Sequence, residues 1–326
     1  MKKNKLIYLI IVLVLALSIS ACKKESEVVE EDPVTPPVTQ PAEEVEEDEK
    51  AKIMEDFRVL VEDDKASAKD LKLFIDENLP VLGQLEGNKM ISQLEMALIR
   101  DIEKMNNELW TLNSEGELEE IVKDFAAKPS SMFPKESVEE IKNTELKDFV
   151  EDLFANHYKL MILEGTFETI IDYQSLRAYD PKITDEWKEY LAIRSIDSEN
   201  PPFMDGSLNL DFDGLADRIL KTENYLNRYI SGERQEELIV LYENKLTAYF
   251  KGLPNTPIAA YDNKVIFDNV LESYEKTILS DGYVTSAMTY LYLEDIKANN
   301  KIIDDGILAK ADGYIKEAVR TLREYK

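Results

Sequence analysis

The sequence has little of several residue types on which common active sites depend. It contains one cysteine and one histidine in 326 residues, and no two glycines stand in a G-x-G arrangement. This excludes an internal disulfide, multi-histidine metal sites, the dinucleotide-binding fingerprint and the kinase glycine loop. The 11 glycines and 12 prolines make up about 7% of the chain, against about 12% in an average protein. So few turn formers favour long helices over a many-stranded sandwich or barrel.

The single histidine, His157, is predicted to lie at the edge of the core. Its neighbours three and four positions away are all apolar: Leu153, Phe154, Leu160 and Met161. No G-x-S-x-G elbow accompanies it, so the hydrolase form of a Ser-His-Asp arrangement lacks its nucleophile. We therefore expect this histidine to have a structural role.

The first 22 residues have the features of a secretory signal. Three lysines within the first five residues precede the apolar run 6–17. Twelve helical residues span only about 18 Å, which is too short to cross about 30 Å of hydrocarbon. The run leads into Ile19-Ser20-Ala21-Cys22, which resembles the lipobox of bacterial lipoproteins. The resemblance implies that residues 1–21 are removed and that Cys22 becomes the lipidated N-terminus.

A spacer is predicted after Cys22. Residues 23–50 lack apolar periodicity, contain four prolines and carry eleven acids against three lysines. Such a segment cannot bury enough apolar surface to offset its ordering entropy, so we expect residues 22–50 to form a disordered stalk. Acyl chains on Cys22 would anchor the chain to a membrane, with the body on the extracytoplasmic side of the cell envelope. The alternative is a signal anchor followed by an incidental free cysteine.

The body, residues 51–326, is predicted to be all-α. Apolar residues recur at spacings of three and four rather than in alternation, as in 88–112, 145–163 and 307–322. We expect about ten to twelve helices, arranged as an irregular multi-helix bundle or as stacked helical hairpins. A sub-boundary near 128–134 is an alternative to one continuous body.

The segment 160–180 is the most unusual part of the body. Three acids on it are spaced four apart: Glu164, Glu168 and Asp172. On a helix they would form one acidic stripe at the rim of the core, where partial burial raises carboxyl pKa values. With Tyr173 they form a candidate ligand-binding set, and paired carboxylates can hydrolyse glycosidic bonds. The alternative is structural pairing with Arg177, Lys182 or another cation.

The segment 209–220 matches a calcium-binding loop only in part. Four side chains occupy ligand positions: Asn209, Asp211, Asp213 and Asp217. The twelfth position is Leu220, where the loop needs a bidentate acid. A turn into a helix capped by Asp213 is the competing interpretation. We therefore predict no cofactor, with calcium as a weak candidate here.

Two features of the C-terminal half are further candidates for ligand contact. Asn255 and Thr256 lie on the rigid link between Gly252 and Pro257. Tyrosines are frequent after residue 225, which suits either an aromatic groove or helix-packing seams.

No complete catalytic set occurs, so the leading prediction is a membrane-anchored envelope lipoprotein with a binding or scaffolding body. Its partner would be an envelope protein, a peptide or a glycan. The alternatives are a carboxylate-dependent cell-wall glycan hydrolase and a solute-binding lipoprotein of a transporter, although the latter normally needs βαβ lobes. Nucleic acid is disfavoured, because residues 51–326 carry 33 bases against 55 acids.

Overall fold

Helices make up most of the protein, as the apolar spacing predicts. The computed structural model describes residues 47–123, 132–163 and 165–324. These residues form twelve α-helices, three 3₁₀ segments and two two-stranded antiparallel sheets, and belong to one compact unit. The all-α fold class is therefore confirmed. The sub-boundary predicted near 128–134 falls largely on residues outside the described ranges.

The N-terminal part of the body is built around one long helix. Its helices are α1 (Glu47–Glu62), α2 (Ala68–Asn78), α3 (Gln84–Leu112) and α4 (Glu117–Val122), with a 3₁₀ turn at Leu79–Val81. Helix α2 starts at the capping box that the spacing of Ser67 and Asp70 predicts. Helix α3 has 29 residues and buries most of the apolar stripe predicted in 88–112, including Met90, Ile91 and Leu98, whereas Trp110 at its end is 48% exposed.

The first helix corrects the predicted end of the stalk. Residues 47–50 form the first turn of α1, where their acidic side chains lie favourably at the helix N-terminus. Phe57 is the one buried side chain of α1, and its ring centre lies 5.7 Å from that of Phe74 on α2. Cys22 and the rest of the predicted stalk lie outside the described residues.

A β-hairpin occupies part of the predicted helical segment 145–163. The elements here are a 3₁₀ segment (Lys135–Glu140), α5 (Thr144–Ala155), β1 (Tyr158–Leu163), β2 (Thr166–Ile171), α6 (Tyr173–Leu176) and a 3₁₀ segment (Arg177–Lys182). Helix α5 ends at Ala155, and His157 has a φ of +64°, which no residue inside a right-handed helix adopts. Strand β1 pairs with β2 so that Tyr158 lies opposite Ile171. Side chains of β2 alternate between buried and less buried, which is the period-two pattern of a strand.

The C-terminal part contains six helices and a second small hairpin. Its elements are α7 (Asp185–Glu199), β3 (Phe203–Met204), β4 (Ser207–Leu208), α8 (Phe212–Arg228), α9 (Gln235–Lys251), α10 (Asp268–Thr277), α11 (Tyr283–Ala298) and α12 (Asp305–Glu324). At the start of α11, the fully buried Glu223 carboxylate accepts the N–H groups of Val284 and Thr285, each at 2.8 Å. The partial positive charge of the helix N-terminus stabilises this buried anion.

Several of the late tyrosines belong to the core. Four fully buried rings, which we call the tyrosine cluster, lie together: Tyr249, Phe250, Tyr274 and Tyr292. The hydroxyl of Tyr274 donates to the Tyr249 carbonyl at 2.7 Å, and that of Tyr292 to the Phe250 carbonyl at 3.1 Å. These rings act as a packing seam. Within the described ranges, no helix is both long and apolar enough to cross a membrane.

Candidate functional site

The acids of segment 160–180 do not form one helical stripe, so that prediction is wrong. Glu168 lies on β2, whereas Asp172 follows the strand and caps α6 by accepting the N–H of Ser175 at 3.2 Å. The β-branched and aromatic residues of β2 favour a pleated strand over a helix. Glu164 lies outside the described residues.

Asp172 is a buried, ion-paired carboxylate. Its side chain is about 5% exposed and lies 3.0 Å from Lys135 Nζ and 3.9 Å from Lys159 Nζ. The structural alternative, pairing with a cation, therefore holds for Asp172 through cations other than Arg177 and Lys182. Arg177 pairs with Asp180, and Lys182 donates to the Pro80 carbonyl. Held in this way, Asp172 supports the hairpin.

Glu168 is half-buried and faces the long helix α3. Its Oε2 accepts a hydrogen bond from Asn106 Nδ2 at 2.7 Å, and Asn106 Oδ1 accepts the Thr169 N–H at 2.6 Å. Asn106 therefore ties the hairpin to α3. Burial raises the pKa of the Glu168 carboxyl above its ordinary value.

The sole histidine is held between side chains. His157 Nδ1 lies 2.7 Å from Ser175 Oγ, and Nε2 lies 3.2 Å from the Tyr179 hydroxyl, which donates to Asp76 at 2.7 Å. Burial lowers the pKa of His157 to about 4, so the imidazole is neutral at pH 7.

The side chains of the predicted calcium loop have other partners. Asp211 caps α8 by accepting the Gly214 N–H at 2.7 Å, so the predicted cap Asp213 is wrong. Asp213 instead pairs with Lys276. Asp211 is the cap because α8 starts at Phe212, the residue directly after it.

Asn209 and Asp217, the other two residues of that loop, point to different surroundings. Asn209 Nδ2 donates to Asn200 Oδ1 at 3.0 Å, whereas Asp217 is exposed on α8. Over the part of the chain that the structure describes, no group of three or more His, Cys, Asp or Glu residues could hold a metal ion.

Asn255 and Thr256 dock the second hairpin. Asn255 Nδ2 donates to the Asp205 carbonyl at 2.7 Å, and Thr256 Oγ1 accepts the Leu208 N–H at 3.0 Å. Asp205 and Gly206 both have positive φ, as a tight two-residue hairpin turn requires. The side chains of this predicted ligand pair are therefore engaged within the protein.

A groove of about 350 Å³ lies between α3, the first hairpin, α7 and α9. Most of its lining is apolar: Ile99, Ile102, Met161, Ile170, Ile171 and Leu241. At one end it becomes polar, with Tyr173, Arg194, Asp197 and Ser198. Tyr173 thus lines it as one of the predicted candidates, and Glu168 shares a strand face with Ile170. The volume lies in the range of small-molecule sites.

A buried glutamate lies behind the polar end of the groove. Glu95 is 1% exposed, and its Oε1 accepts the Tyr173 hydroxyl at 2.7 Å and also the Tyr190 hydroxyl. Its Oε2 lies 2.7 Å from Arg234 Nη2. Burial raises the pKa values of Tyr173 and Tyr190, so both phenols stay neutral donors.

Glu237 extends these contacts to the groove wall. It accepts the Tyr190 hydroxyl at 2.8 Å and pairs with Arg194, whose guanidinium lies 4.4 Å from the centre of the Tyr173 ring. We call this set the ionic cluster: Glu95, Tyr190, Arg194, Arg234 and Glu237. Arg194 is its member in the groove lining.

A second set of charges adjoins the same end. Asp197 Oδ1 lies 2.9 Å from Arg218 Nη1, and Asp197 Oδ2 lies 2.6 Å from Lys245 Nζ. Burial lowers the pKa of the Lys245 ammonium, and the nearby Asp197 carboxylate offsets part of this shift. Two cations therefore contact one carboxylate at this wall.

Sequence reasoning missed Glu95, Arg194 and Arg234. A signal for Glu95 was present, because it lies between Ile91 and Leu98 on the apolar face of α3. A carboxylate on such a face needs buried partners. Comparison of the chain with protein-family models, curated proteins and solved structures finds no match.

Proposed function

We propose that this chain is a lipid-anchored bacterial envelope protein whose helical body binds a ligand in the groove between α3, the first hairpin, α7 and α9. The lipobox at Cys22 and the acidic segment after it support the anchor and the spacer. The observation that carries the binding role is the groove itself, an apolar cleft with charged residues in its lining.

The placement of the carboxylates favours binding over glycan hydrolysis. A glycosidase of the usual type needs two carboxyl groups facing one cleft, about 5–9.5 Å apart. Asp172 is buried in ion pairs, and Glu168 is hydrogen-bonded to Asn106. The described strands form two small antiparallel sheets, which also disfavours the transporter alternative with its βαβ lobes.

Production of the full chain in a bacterial host tests the anchor. We expect the membrane-extracted protein to begin at Cys22 and to carry an acyl mass, measured by intact mass spectrometry. The matched variant Cys22→Ser should remain unprocessed and lack that mass. A wild-type chain that begins at Met1 without modification would contradict the anchor.

A thermal-shift screen of the full chain tests the binding role. The panel contains peptides, cell-wall glycan fragments and small amphiphiles, because a ligand at about 100 times its Kd stabilises the folded state by about 2.7 kcal/mol. A groove ligand should stabilise the wild type more than Ile99→Ser. The control is Leu73→Ser, since Leu73 is 57% exposed against 52% for Ile99 and lies on α2. A panel without any shift, or with equal shifts in Ile99→Ser, would contradict the role.

A further inference from the structure

We infer that the groove takes a small apolar molecule that ends in a carboxylate, bound with its carboxylate on Arg194. This deepens the proposed binding function and rests on it. The inference comes from three features of the groove: its apolar lining, the unused donors of Arg194 and the excess of cations around Asp197.

The lining selects an apolar ligand of limited size. A volume of about 350 Å³ equals that of about twelve liquid waters, so a probe of about twelve non-hydrogen atoms matches the size of the groove. Ile99, Ile170 and Leu241 would bury apolar surface against it. A sugar is a poor fit, since its hydroxyls would lose water without gaining enough partners along this wall.

Arg194 provides the charged end. Its Nη1 contacts Glu237 and, at 3.4 Å, the Tyr190 hydroxyl. Within the described residues, Nε and Nη2 of Arg194 make no hydrogen bond to a protein atom. A guanidinium with two neighbouring donors free matches the two oxygens of a carboxylate.

The surrounding charges favour an anion at this end. Arg194 and Arg234 are balanced by Glu95 and Glu237, whereas Asp197 faces both Arg218 and Lys245. These ion-paired groups carry one positive charge in excess, within a body whose net charge is -22. A cationic ligand would meet this excess and be repelled.

The test uses two matched probes, 4-phenylbutyrate and its neutral isostere 4-phenylbutyramide. Each has about twelve non-hydrogen atoms. Binding to the full chain in detergent is measured by saturation-transfer NMR and calorimetry, with empty micelles as the blank. We expect a Kd of about 1 mM or lower for the carboxylate and about tenfold weaker binding of the amide, since a hydrogen bond to a charged group is lost.

Two variants assign the binding to the groove. Arg194→Gln should abolish the preference for the carboxylate, and Ile99→Ser should weaken both probes about equally, by about threefold. Leu73→Ser should bind as the wild type does. Circular dichroism checks folding, and Arg194→Met, which keeps an apolar stem but loses the charge, replaces Arg194→Gln if that variant unfolds.

Equal binding of both probes to the wild type, no binding of either, or unchanged selectivity in the folded Arg194 variant would overturn the inference. The thermal-shift panel tests the proposed binding function independently of this inference about the ligand. If another compound of the thermal-shift panel binds in an Ile99-dependent manner, the groove is a binding site with a different ligand class.

Discussion

The ionic cluster and the tyrosine cluster bury polar groups in opposite ways. The ionic cluster encloses carboxylates and guanidinium groups that depend on one another, beside an open groove. The tyrosine cluster is neutral, and two of its hydroxyls donate to backbone carbonyls of the same core. A buried charge without its partner is far more costly than a lost neutral hydrogen bond. The partly buried guanidinium groups of Arg194 and Arg234 thus lie beside the groove, whereas the tyrosine cluster carries no charge.

The largest effect is expected at the centre of the ionic cluster. Glu95→Ala removes the acceptor of two tyrosine hydroxyls and the partner of Arg234, so it should lower the free energy of unfolding by about 3–5 kcal/mol. Urea unfolding measures this. The control is Glu103→Ala on the exposed face of the same helix, expected within about 0.5 kcal/mol of the wild type. If the two substitutions destabilised the protein equally, the buried ion pairs of Glu95 would contribute no more to stability than an exposed side chain.

The second effect is a pH dependence from His157, which lies on the hairpin side of the molecule. The unfolded state takes up a proton near pH 6.5, but burial lowers the folded pKa to about 4. Between these values the unfolded state binds more protons, so stability falls as the pH is lowered, by about 3 kcal/mol in total.

The difference between wild type and His157→Asn isolates this titration. Asparagine tolerates the positive φ at this position, and the carboxylate contributions common to both proteins cancel. Urea unfolding between pH 7 and pH 4 should show the wild type losing stability relative to the variant. If the free energies of unfolding of the two proteins changed in parallel with pH, the imidazole would have the same pKa in the folded and unfolded states, contrary to the prediction.

Glu223 is a buried carboxylate in the same C-terminal helices that hold the neutral tyrosine cluster. Glu223→Ala leaves two N–H groups of α11 without an acceptor and should destabilise by about 2–3 kcal/mol. Glu223→Gln keeps one acceptor and should lose about half as much. If the two variants were equally unstable in chemical denaturation, the negative charge rather than the hydrogen bonds would hold this helix start.

The smallest effect comes from removing one hydroxyl in each cluster. Tyr190→Phe removes the hydroxyl that lies between the Glu95 and Glu237 carboxylates and should cost about 1.5–3 kcal/mol, whereas Tyr292→Phe loses one bond to a carbonyl and should cost about 1 kcal/mol. Paired thermal and urea unfolding compares them directly. A larger loss for Tyr292→Phe would reverse the ranking of the two clusters.

The helical fold was predictable because long stripes such as that of α3 carry the 3.6-residue period many times over. The first hairpin was not, since six-residue strands are too short to separate from a helix by spacing alone. Its signals were local: β-branched residues at Thr166, Thr169 and Ile170, with Gly165 at the turn.

The candidate site was harder to predict than the fold. Tyr173 was identified, but the groove joins Ile99, Ile170 and Arg194 from elements far apart in the chain. Spacing within one segment carries no information about such contacts, which depend on how helices cross. Asn255 was a candidate because it lies on a rigid link between helices, yet its amide holds the second hairpin in place by a hydrogen bond to the Asp205 carbonyl.

Helix α1 packs on the rest of the body through the buried ring of Phe57 and four partly buried side chains, Ile53, Met54, Leu60 and Val61. Tension applied from the N-terminal side reaches this helix before any other described element. Peeling it away uncovers a single buried side chain, whereas α3 would uncover nine buried residues. Its 16 residues lengthen from about 24 Å as a helix to about 53 Å when extended. Loss of α1 would therefore lengthen the chain by about 30 Å while most of the core around α3 stays buried.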